Sequence, residues 1–163
     1  MSRDVGVIDT ETNSDRYRVK KLIGKGHLGG VYLADDTEAG KEVAVRRFFD
    51  RKGEYQLNEK EEQALLDLAR KIIGLKGSGI MEILDAGKDE DGIFLVSELL
   101  EGANLNKSLD DGGLSKEELE RCAGELLKGL DRLHQAGVHI GYIDGSSVHV
   151  SREDGKPSYH LVD

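Results

Sequence analysis

Apolar and polar residues alternate along the first hundred positions in short runs that glycine-containing turns separate. This period of two predicts five strands, at residues 17–23, 31–34, 42–48, 80–86 and 93–98. Between the third and fourth of them, from about residue 55 to 73, apolar residues recur every three or four positions, and that spacing predicts one helix. The first part of the chain is therefore predicted to form a sheet of five strands with a single helix.

The second part of the chain predicts one long helix followed by two short strands. Ser115 and Glu118 have the spacing of a capping box, which marks a helix start. Leucines at helical spacing continue to Gln135, and Gly137 is the residue type expected just after a helix. Strands are predicted at 148–150 and 159–162, whereas residues 1–15 show neither period and are interpreted as a mobile lead-in.

Composition narrows the class of protein. The 163 residues suffice for one domain or two small lobes, and the formal charge is −9. An acidic chain without a basic block interleaved with aromatic residues is a poor nucleic-acid binder, because phosphates need clustered cations. The longest apolar runs are too short for a membrane span or a signal peptide. The single cysteine, Cys122, excludes an internal disulfide, so a soluble cytoplasmic protein is expected.

A glycine-rich motif stands between the first two predicted strands. The run from Gly24 to Val31 reads G-K-G-H-L-G-G-V and fits the pattern G-x-G-x-x-G-x-V. A dinucleotide fingerprint needs a strand followed by a helix, so that interpretation is excluded. Glycines in such a turn let the backbone approach a polyphosphate and direct N–H groups at it. By itself the motif leaves two alternatives open, a nucleotide-binding loop and a glycine hairpin without a ligand.

Four further sequence segments follow this motif, and their order along the chain is informative. They are V-A-V-R at 43–46, a helix with Glu61, F-L-V-S-E-L-L at 94–100 and a helix ending in L-H-Q-A-G at 133–137. In this order the sequence resembles the eukaryotic-like Ser/Thr protein kinase family, from about residue 16 to 163. The resemblance implies an α+β kinase-like fold: a five-stranded N-lobe with helix C at 16–97, a hinge at 98–102 and a partial, mainly helical C-lobe at 103–163.

The resemblance also implies a nucleotide site, with ATP as the cofactor whose binding stays open. Ser97 would be the gatekeeper, while the Glu98 carbonyl and the Leu100 N–H would meet adenine. Val31 and Ala44 would pack on the two sides of that base. The full implied set is Gly24, Gly26, Gly29, Val31, Ala44, Arg46, Ser97, Glu98 and Leu100.

One departure from the family falls in the third strand, where Arg46 replaces the lysine that holds the α- and β-phosphates. A planar guanidinium directs its donors differently from an ammonium group, so the close point-charge contact is expected to be lost. Glu61 is chosen over Glu62 and Glu59 as the helix-C glutamate, because Leu65 and Leu68 then match the family's buried face. Arg46 is accordingly expected to pair with Glu61 or to face solvent.

Three further departures fall in the catalytic loop. The family pattern H-R-D-x-K-P-x-N aligns with residues 140–147, which puts Tyr142 at the catalytic aspartate, Asp144 at the lysine and Ser147 at the asparagine. A phenol is protonated at neutral pH and is a poor base. A carboxylate near a phosphate repels it, and a hydroxyl is a weaker Mg²⁺ ligand than an amide carbonyl. Asp163, at the aspartate of D-F-G, is the one metal ligand the resemblance retains, so an intact Mg²⁺ site is not expected.

These replacements predict a pseudokinase, inactive in phosphoryl transfer, that serves as a protein scaffold or a nucleotide-responsive switch. The alternative is an active ATP-dependent Ser/Thr kinase within a longer chain, with an unusual base. A third alternative is a collapsed cleft that binds no ligand. The sequence indicates a protein partner without identifying it, and it leaves the oligomeric state open.

Overall fold

The computed structural model describes residues 16–26, 29–48, 57–77, 79–89, 92–153 and 156–161. The predicted lead-in at 1–15 lies outside these residues. The strands are β1 Tyr17–Gly26, β2 Gly29–Asp36, β3 Lys41–Arg47, β4 Gly79–Ile80, β5 Ile83–Asp89, β6 Gly92–Glu98, β7 Ala103–Asn104, β8 Val148–Glu153 and β9 Lys156–Leu161. The helices are α1 Glu59–Ile72, α2 Leu105–Asp110 and α3 Lys116–Gln135.

The chain divides into two compact units. The described residues up to Leu66 form the first unit together with Asp85–Leu99, and Asp67–Leu84 form the second together with the described residues from Leu100 onward. The first unit holds a sheet with the strand order β1-β2-β3-β6-β5, which confirms the predicted five strands. The second unit holds a smaller sheet with the order β4-β9-β8-β7, against which α3 packs.

The five-stranded sheet has one well-buried face. Burial alternates residue by residue along β2, as expected for a strand with one face in the core. Tyr17 of β1 donates a hydrogen bond from its hydroxyl to Asp85 Oδ2 of β5 at 2.7 Å. Because β1 and β5 are the outermost strands of the sheet, this contact requires the sheet to curl strongly around its buried face. The curl encloses a core that includes Tyr32, Val43 and Val96.

The core of the second unit lies between α3 and the smaller sheet. Its buried members are Ile80, Val148, Val150, Tyr159 and Leu161 of the smaller sheet, Cys122 and Leu133 of α3, and Val138 just after α3. Cys122 is therefore a small core side chain of α3, with 4% exposure. Burial raises the pKa of its thiol, which suits a packing role.

Local signals set both ends of α3 as predicted. The Ser115 hydroxyl accepts a hydrogen bond from the Glu118 backbone N–H at 3.1 Å, and Glu118 Oε2 accepts from the Ser115 N–H at 2.9 Å. This reciprocal pair is the predicted capping box. At the other end Gly137 has a φ of +78°, the left-handed conformation that glycine adopts after a helix.

One predicted strand is wrong in its bounds. The run 80–86 is divided between two elements, because Gly79 and Ile80 pair in parallel with β9 whereas β5 begins at Ile83. The Met81 N–H donates to the Leu161 carbonyl at 3.1 Å, which ties this part of the chain to the second unit. The closing hairpin also differs, since β8 and β9 pair from Val148 to Leu161 and β9 starts earlier than predicted.

The Tyr159 hydroxyl provides a test of the packing in the second unit. Tyr159 is completely buried, and among the residues that the structure describes its hydroxyl has no hydrogen-bond partner. A buried polar group without a partner costs its desolvation free energy, so Tyr159→Phe is expected to raise the free energy of unfolding by about 1 kcal/mol. Urea unfolding followed by circular dichroism measures this change.

Tyr17→Phe is the matched control, because Tyr17 donates to Asp85 at 2.7 Å. Its loss of a charge-assisted hydrogen bond is expected to lower the free energy of unfolding by about 1.5–3 kcal/mol. If Tyr159→Phe lowered the free energy of unfolding as much as Tyr17→Phe, the result would contradict the claim that the Tyr159 hydroxyl has no partner among the described residues.

Candidate functional site

The glycine motif forms the predicted hairpin. Gly24 pairs with Val31, and Gly26 pairs with Gly29 as β1 meets β2 in antiparallel register. Gly29 has a φ of +135°, a conformation that side chains other than hydrogen rarely allow. His27 and Leu28, at the tip, lie outside the described residues. The motif thus links two strands, as the sequence indicated.

Register places five of the predicted nucleotide residues on one face of the sheet. Residues directly opposite each other in a ladder share a face. Val31 lies opposite both Gly24 of β1 and Arg46 of β3, and Ala44 lies opposite Ser97 of β6. Because Ala44 and Arg46 are two positions apart on β3, all of them point to the same side. We name this surface the glycine face, defined by Gly24, Val31, Ala44, Arg46 and Ser97.

Small side chains make up much of the glycine face. Ala44 is 8% exposed and Ser97 is 7% exposed, so neither side chain rises above its neighbours. A methyl group added at Gly24 would lie 3.7 Å from the Val31 Cβ and would occupy space that glycine leaves open. Small residues beside a glycine hairpin suit the base and phosphates of a nucleotide, so the residue types present fit that ligand class.

The two predicted hinge residues fall in different units. Glu98 is the last residue of β6 and lies opposite Val43 in the first unit. Leu100 follows in a segment without regular structure and belongs to the second unit. Their roles toward adenine stay predictions.

Adjacent arginines of β3 point to opposite faces of the sheet. Arg46 is half-buried and stands on the glycine face. Arg47 points into the buried face, where its guanidinium donates to both Asp89 carboxylate oxygens at 2.7 and 2.6 Å. The side chains of Arg47 and Asp89 are each only 4% exposed. Because side chains alternate along a strand, Arg47 is enclosed in the core, whereas Arg46 lies on the face where the nucleotide is predicted.

The structure gives Glu61 a capping role at the start of α1, and its ion pair with Arg46 stays a prediction. The Asn58 N–H donates to Glu61 Oε2 at 2.8 Å, and the Glu61 N–H donates to Asn58 Oδ1 at 3.0 Å. This is a reciprocal cap at the start of α1. Its signal, an Asn followed three residues later by a Glu, was present in the sequence and was overlooked in favour of the buried-face period.

Glu62 is the α1 carboxylate that reaches the sheet. It forms an ion pair with Lys88 of β5, and its side chain is 19% exposed. The helix-to-sheet ion pair of the first unit thus joins α1 to β5. Sequence reasoning missed Lys88, because a lysine in an ordinary strand carries no motif.

The segment predicted to correspond to the catalytic loop forms a tight turn around Asp144. Asp144 Oδ1 accepts hydrogen bonds from the Ser146 hydroxyl at 2.5 Å and from the Ser146 N–H at 2.8 Å. The Ser147 N–H and hydroxyl approach the same oxygen at 3.3 and 3.5 Å. Hydrogen bonds from Ser146 are the main cause of a lowered pKa for the Asp144 carboxyl. The side chain is therefore ionised at neutral pH.

Gly145 stands where the resemblance puts the family's proline, and the Asn106 side chain lies beside it. A Cβ at this position would lie 2.0 Å from Asn106 Oδ1 of α2. The Asn106 N–H also donates to the Gly145 carbonyl at 3.4 Å. The sequence offered no signal for Asn106, because α2 itself was not predicted.

Tyr142 is 77% exposed and does not pack into the core of the second unit. Asp163 lies outside the described residues. Within the ranges that the structure describes, no three or more His, Cys, Asp or Glu residues are grouped to hold a metal ion. Among the helices so described, none is long and apolar enough to span a membrane.

The curled five-stranded sheet, its helix and the glycine hairpin define a protein-kinase-like fold. Residues 17–144 match the protein kinase domain family, and the chain belongs to that family. The fold agrees with the solved kinase domain of PknI from Mycobacterium tuberculosis: the TM-score is 0.77 at 17% sequence identity, over 91% of this chain and 59% of that one.

Curated relatives are Ser/Thr protein kinases. Serine/threonine-protein kinase A of Synechocystis is 30% identical over 151 residues, which are 91% of this chain and 28% of that protein. Serine/threonine-protein kinase STE20 of Candida glabrata is 32% identical over 126 residues, which are 76% of this chain and 13% of that protein. The chain thus spans less than a third of the length of either relative.

Proposed function

We propose that this protein is a kinase-like domain that does not transfer phosphoryl groups and that acts as a protein scaffold or a nucleotide-responsive switch. The observation that carries the proposal is the turn in which the Asp144 carboxylate is held by Ser146 and Ser147. In the family a lysine at this position faces the transferring phosphate, whereas this turn stabilises a negative charge.

The negative charge of Asp144 is unfavourable for phosphoryl transfer. Unlike charges attract and like charges repel, so a lysine at this position would attract the phosphate, whereas an ionised Asp144 repels it. Phosphoryl transfer depends on positioning and on stabilising the charge of the phosphate oxygens, so this reversal removes much of what the loop supplies.

The other two replacements in the loop, Ser147 and Tyr142, are also unfavourable for phosphoryl transfer. Ser147 is buried to 8% exposure, and its hydroxyl lies 3.5 Å from Asp144 Oδ1, so it is a weak candidate for a Mg²⁺ ligand. Tyr142 is largely exposed and offers a phenol where a carboxylate base is required. The glycine face, in contrast, keeps a residue set that fits a nucleotide, which supports binding without chemistry.

Restoring one residue is not expected to restore activity. Catalytic groups that act as a unit contribute non-additively, so Tyr142→Asp should transfer no more radiolabelled phosphate from ATP to a generic protein substrate than the wild type. The variant Tyr142→Asp/Asp144→Lys/Ser147→Asn is the comparison, because it restores the loop as a set. Measurable transfer by the single variant, or by the unmodified chain, would support the active-kinase alternative and overturn the proposal.

Thermal unfolding with ATP separates the two forms of the proposed function. A rise in Tm without a divalent ion supports a nucleotide-responsive switch, and no rise supports a scaffold that acts through protein contacts alone. A rise that requires Mg²⁺ or Mn²⁺ and is accompanied by ATP turnover would support an active kinase within a longer chain.

A further inference from the structure

We propose that His134 and His139 form a binding site for a divalent transition-metal ion such as Zn²⁺, with one ring nitrogen of each histidine as a ligand. The centroids of the two imidazole rings are 4.9 Å apart. The inference goes beyond the proposed function, because the pair lies at the C-terminal end of α3 and its chemistry needs no nucleotide.

A backbone reversal brings the two histidines together. They are five positions apart in the sequence, which is not the spacing of metal ligands on one helix face. After α3 the chain turns at Gly137, whose φ is +78°, and the Val138 N–H donates to the Leu133 carbonyl at 2.9 Å. This is the hydrogen bond of a Schellman motif, which folds the chain back onto the last turn of the helix.

The same motif holds both histidines in place. Leu133 and Val138, the residues that directly precede them, are each 7% exposed and belong to the core of the second unit. Their burial anchors the backbone, whereas the side chains of His134 and His139 are exposed to solvent. Ligands that are held before binding lose less conformational entropy when the ion binds.

The distance between the rings fits one shared ion. A zinc ion lies about 2.0–2.1 Å from an imidazole nitrogen and therefore roughly 3.2 Å from the ring centre. Two rings bound to one ion, at an angle between a right angle and the tetrahedral angle, have centroids about 4.5–5.2 Å apart. The observed separation of 4.9 Å lies within this interval. The ring planes are inclined by 37°, so rotation about the bonds of the exposed side chains is needed to aim one nitrogen of each ring at the ion.

The charges around the pair favour a cation. The last carbonyl groups of a helix carry partial negative charge, which stabilises a positive charge near that end. Asp131 and His134 are three positions apart on α3 and are therefore neighbours on its surface, and Asp131 Oδ2 accepts a hydrogen bond from Gln135 Nε2 at 2.9 Å. Arg132, a cation of the same turn, extends toward Gly77, where a Cβ would lie 2.5 Å from its Cζ.

The type of donor atom selects the ion. Imidazole nitrogen is a ligand for Zn²⁺, Ni²⁺ and Cu²⁺, whereas Mg²⁺ and Ca²⁺ prefer oxygen. In the described part of the chain no third His, Cys, Asp or Glu is grouped with the pair as a ligand, so water completes the coordination. A bound ion would tie the last turn of α3 to the segment that leads into the turn around Asp144.

Isothermal titration of the full chain with ZnCl₂, and separately with NiCl₂, in a non-chelating buffer tests the inference. His134→Gln and His139→Gln are each expected to raise the Kd of the tightest-bound ion about tenfold or more, because the second ligand no longer acts at a high effective concentration. Both side chains are exposed, so the variants should keep the fold, which circular dichroism checks. His149→Gln is the matched control: it removes a half-buried histidine of β8, whose Nε2 lies 3.0 Å from the Glu101 carbonyl oxygen, and should leave the Kd unchanged.

Equal Kd values for Zn²⁺ in the wild type and in His134→Gln/His139→Gln would overturn the inference. A loss of affinity in only one of the two single variants would also overturn it, as would a wild type that binds no Zn²⁺ at millimolar concentration. Thermal unfolding gives a second readout, since ZnCl₂ should raise the Tm of the wild type more than that of the double variant, and equal shifts would contradict the site. These outcomes leave the proposed loss of catalysis standing, because only phosphate transfer to a substrate would overturn that.

Discussion

Replacing Gly129 with alanine is expected to lower the free energy of unfolding by about 3 kcal/mol, the upper part of the range for overpacking a core. A Cβ at Gly129 of α3 would lie 2.5 Å from the Gly79 carbonyl oxygen of β4. Gly79 is equally confined, because its own Cβ would lie 1.9 Å from the Glu125 carbonyl oxygen. Two backbones meet here without intervening side chains, so neither can yield to an added methyl group.

Gly124→Ala, in the same helix, is the matched control. A Cβ at Gly124 would meet nothing within 4 Å, so alanine is expected to raise the free energy of unfolding by about 0.5–1 kcal/mol through its higher helix propensity. Urea titration of both variants measures the difference. If Gly129→Ala and Gly124→Ala changed the free energy of unfolding by the same amount in the same direction, the result would contradict the close backbone contact between α3 and β4.

Asp89→Asn is expected to lower the free energy of unfolding by about 3–5 kcal/mol, because it leaves a buried guanidinium without a counter-charge. Arg47 is 3% exposed and makes two hydrogen bonds to the Asp89 carboxylate. Its Nε is already buried without a hydrogen-bond partner in the described part of the chain, and the Phe94 ring, with its centroid 5.5 Å from the guanidinium carbon, supplies only a cation–π contact. Denaturant unfolding at neutral pH and constant ionic strength gives the value.

An exposed ion pair provides the comparison. Glu42→Gln removes the contact of Lys20 with a half-exposed carboxylate at 2.9 Å and should cost less than about 1 kcal/mol. Replacing both buried partners, as in Arg47→Met/Asp89→Leu, is expected to recover most of the loss, because no unpaired charge remains. An Asp89→Asn variant as stable as Glu42→Gln would show that the buried pair is not what stabilises this face.

Local chemistry explains what could be predicted about the fold. The Ser115–Glu118 cap and the glycine at 137 act within a few residues, and both were found where the sequence placed them. The glycine hairpin is another short-range feature, set by Gly24, Gly26 and Gly29. The miss at Glu61 was also local, since its cap with Asn58 has a recognisable spacing.

The candidate site also has a part that could be predicted from the sequence and a part that could not. Resemblance to the kinase family named the residues of the glycine face, and strand alternation then brought Val31, Ala44, Arg46 and Ser97 to one side. Nothing in the spacing of residues indicated the tight turn in which Ser146 and Ser147 hold Asp144, nor the Asn106 side chain that lies beside Gly145.

By itself the sequence determined the number of strands in the first unit, the long capped helix and the glycine hairpin, because short-range periods, caps and residue types specify them. Only the tertiary structure decided which charges meet, as in Arg47 with Asp89 and Glu62 with Lys88. It also divided the run 80–86 between two sheets and placed Gly79 against Gly129. These contacts join residues far apart in the chain, and their energies depend on distance and burial that no local pattern encodes.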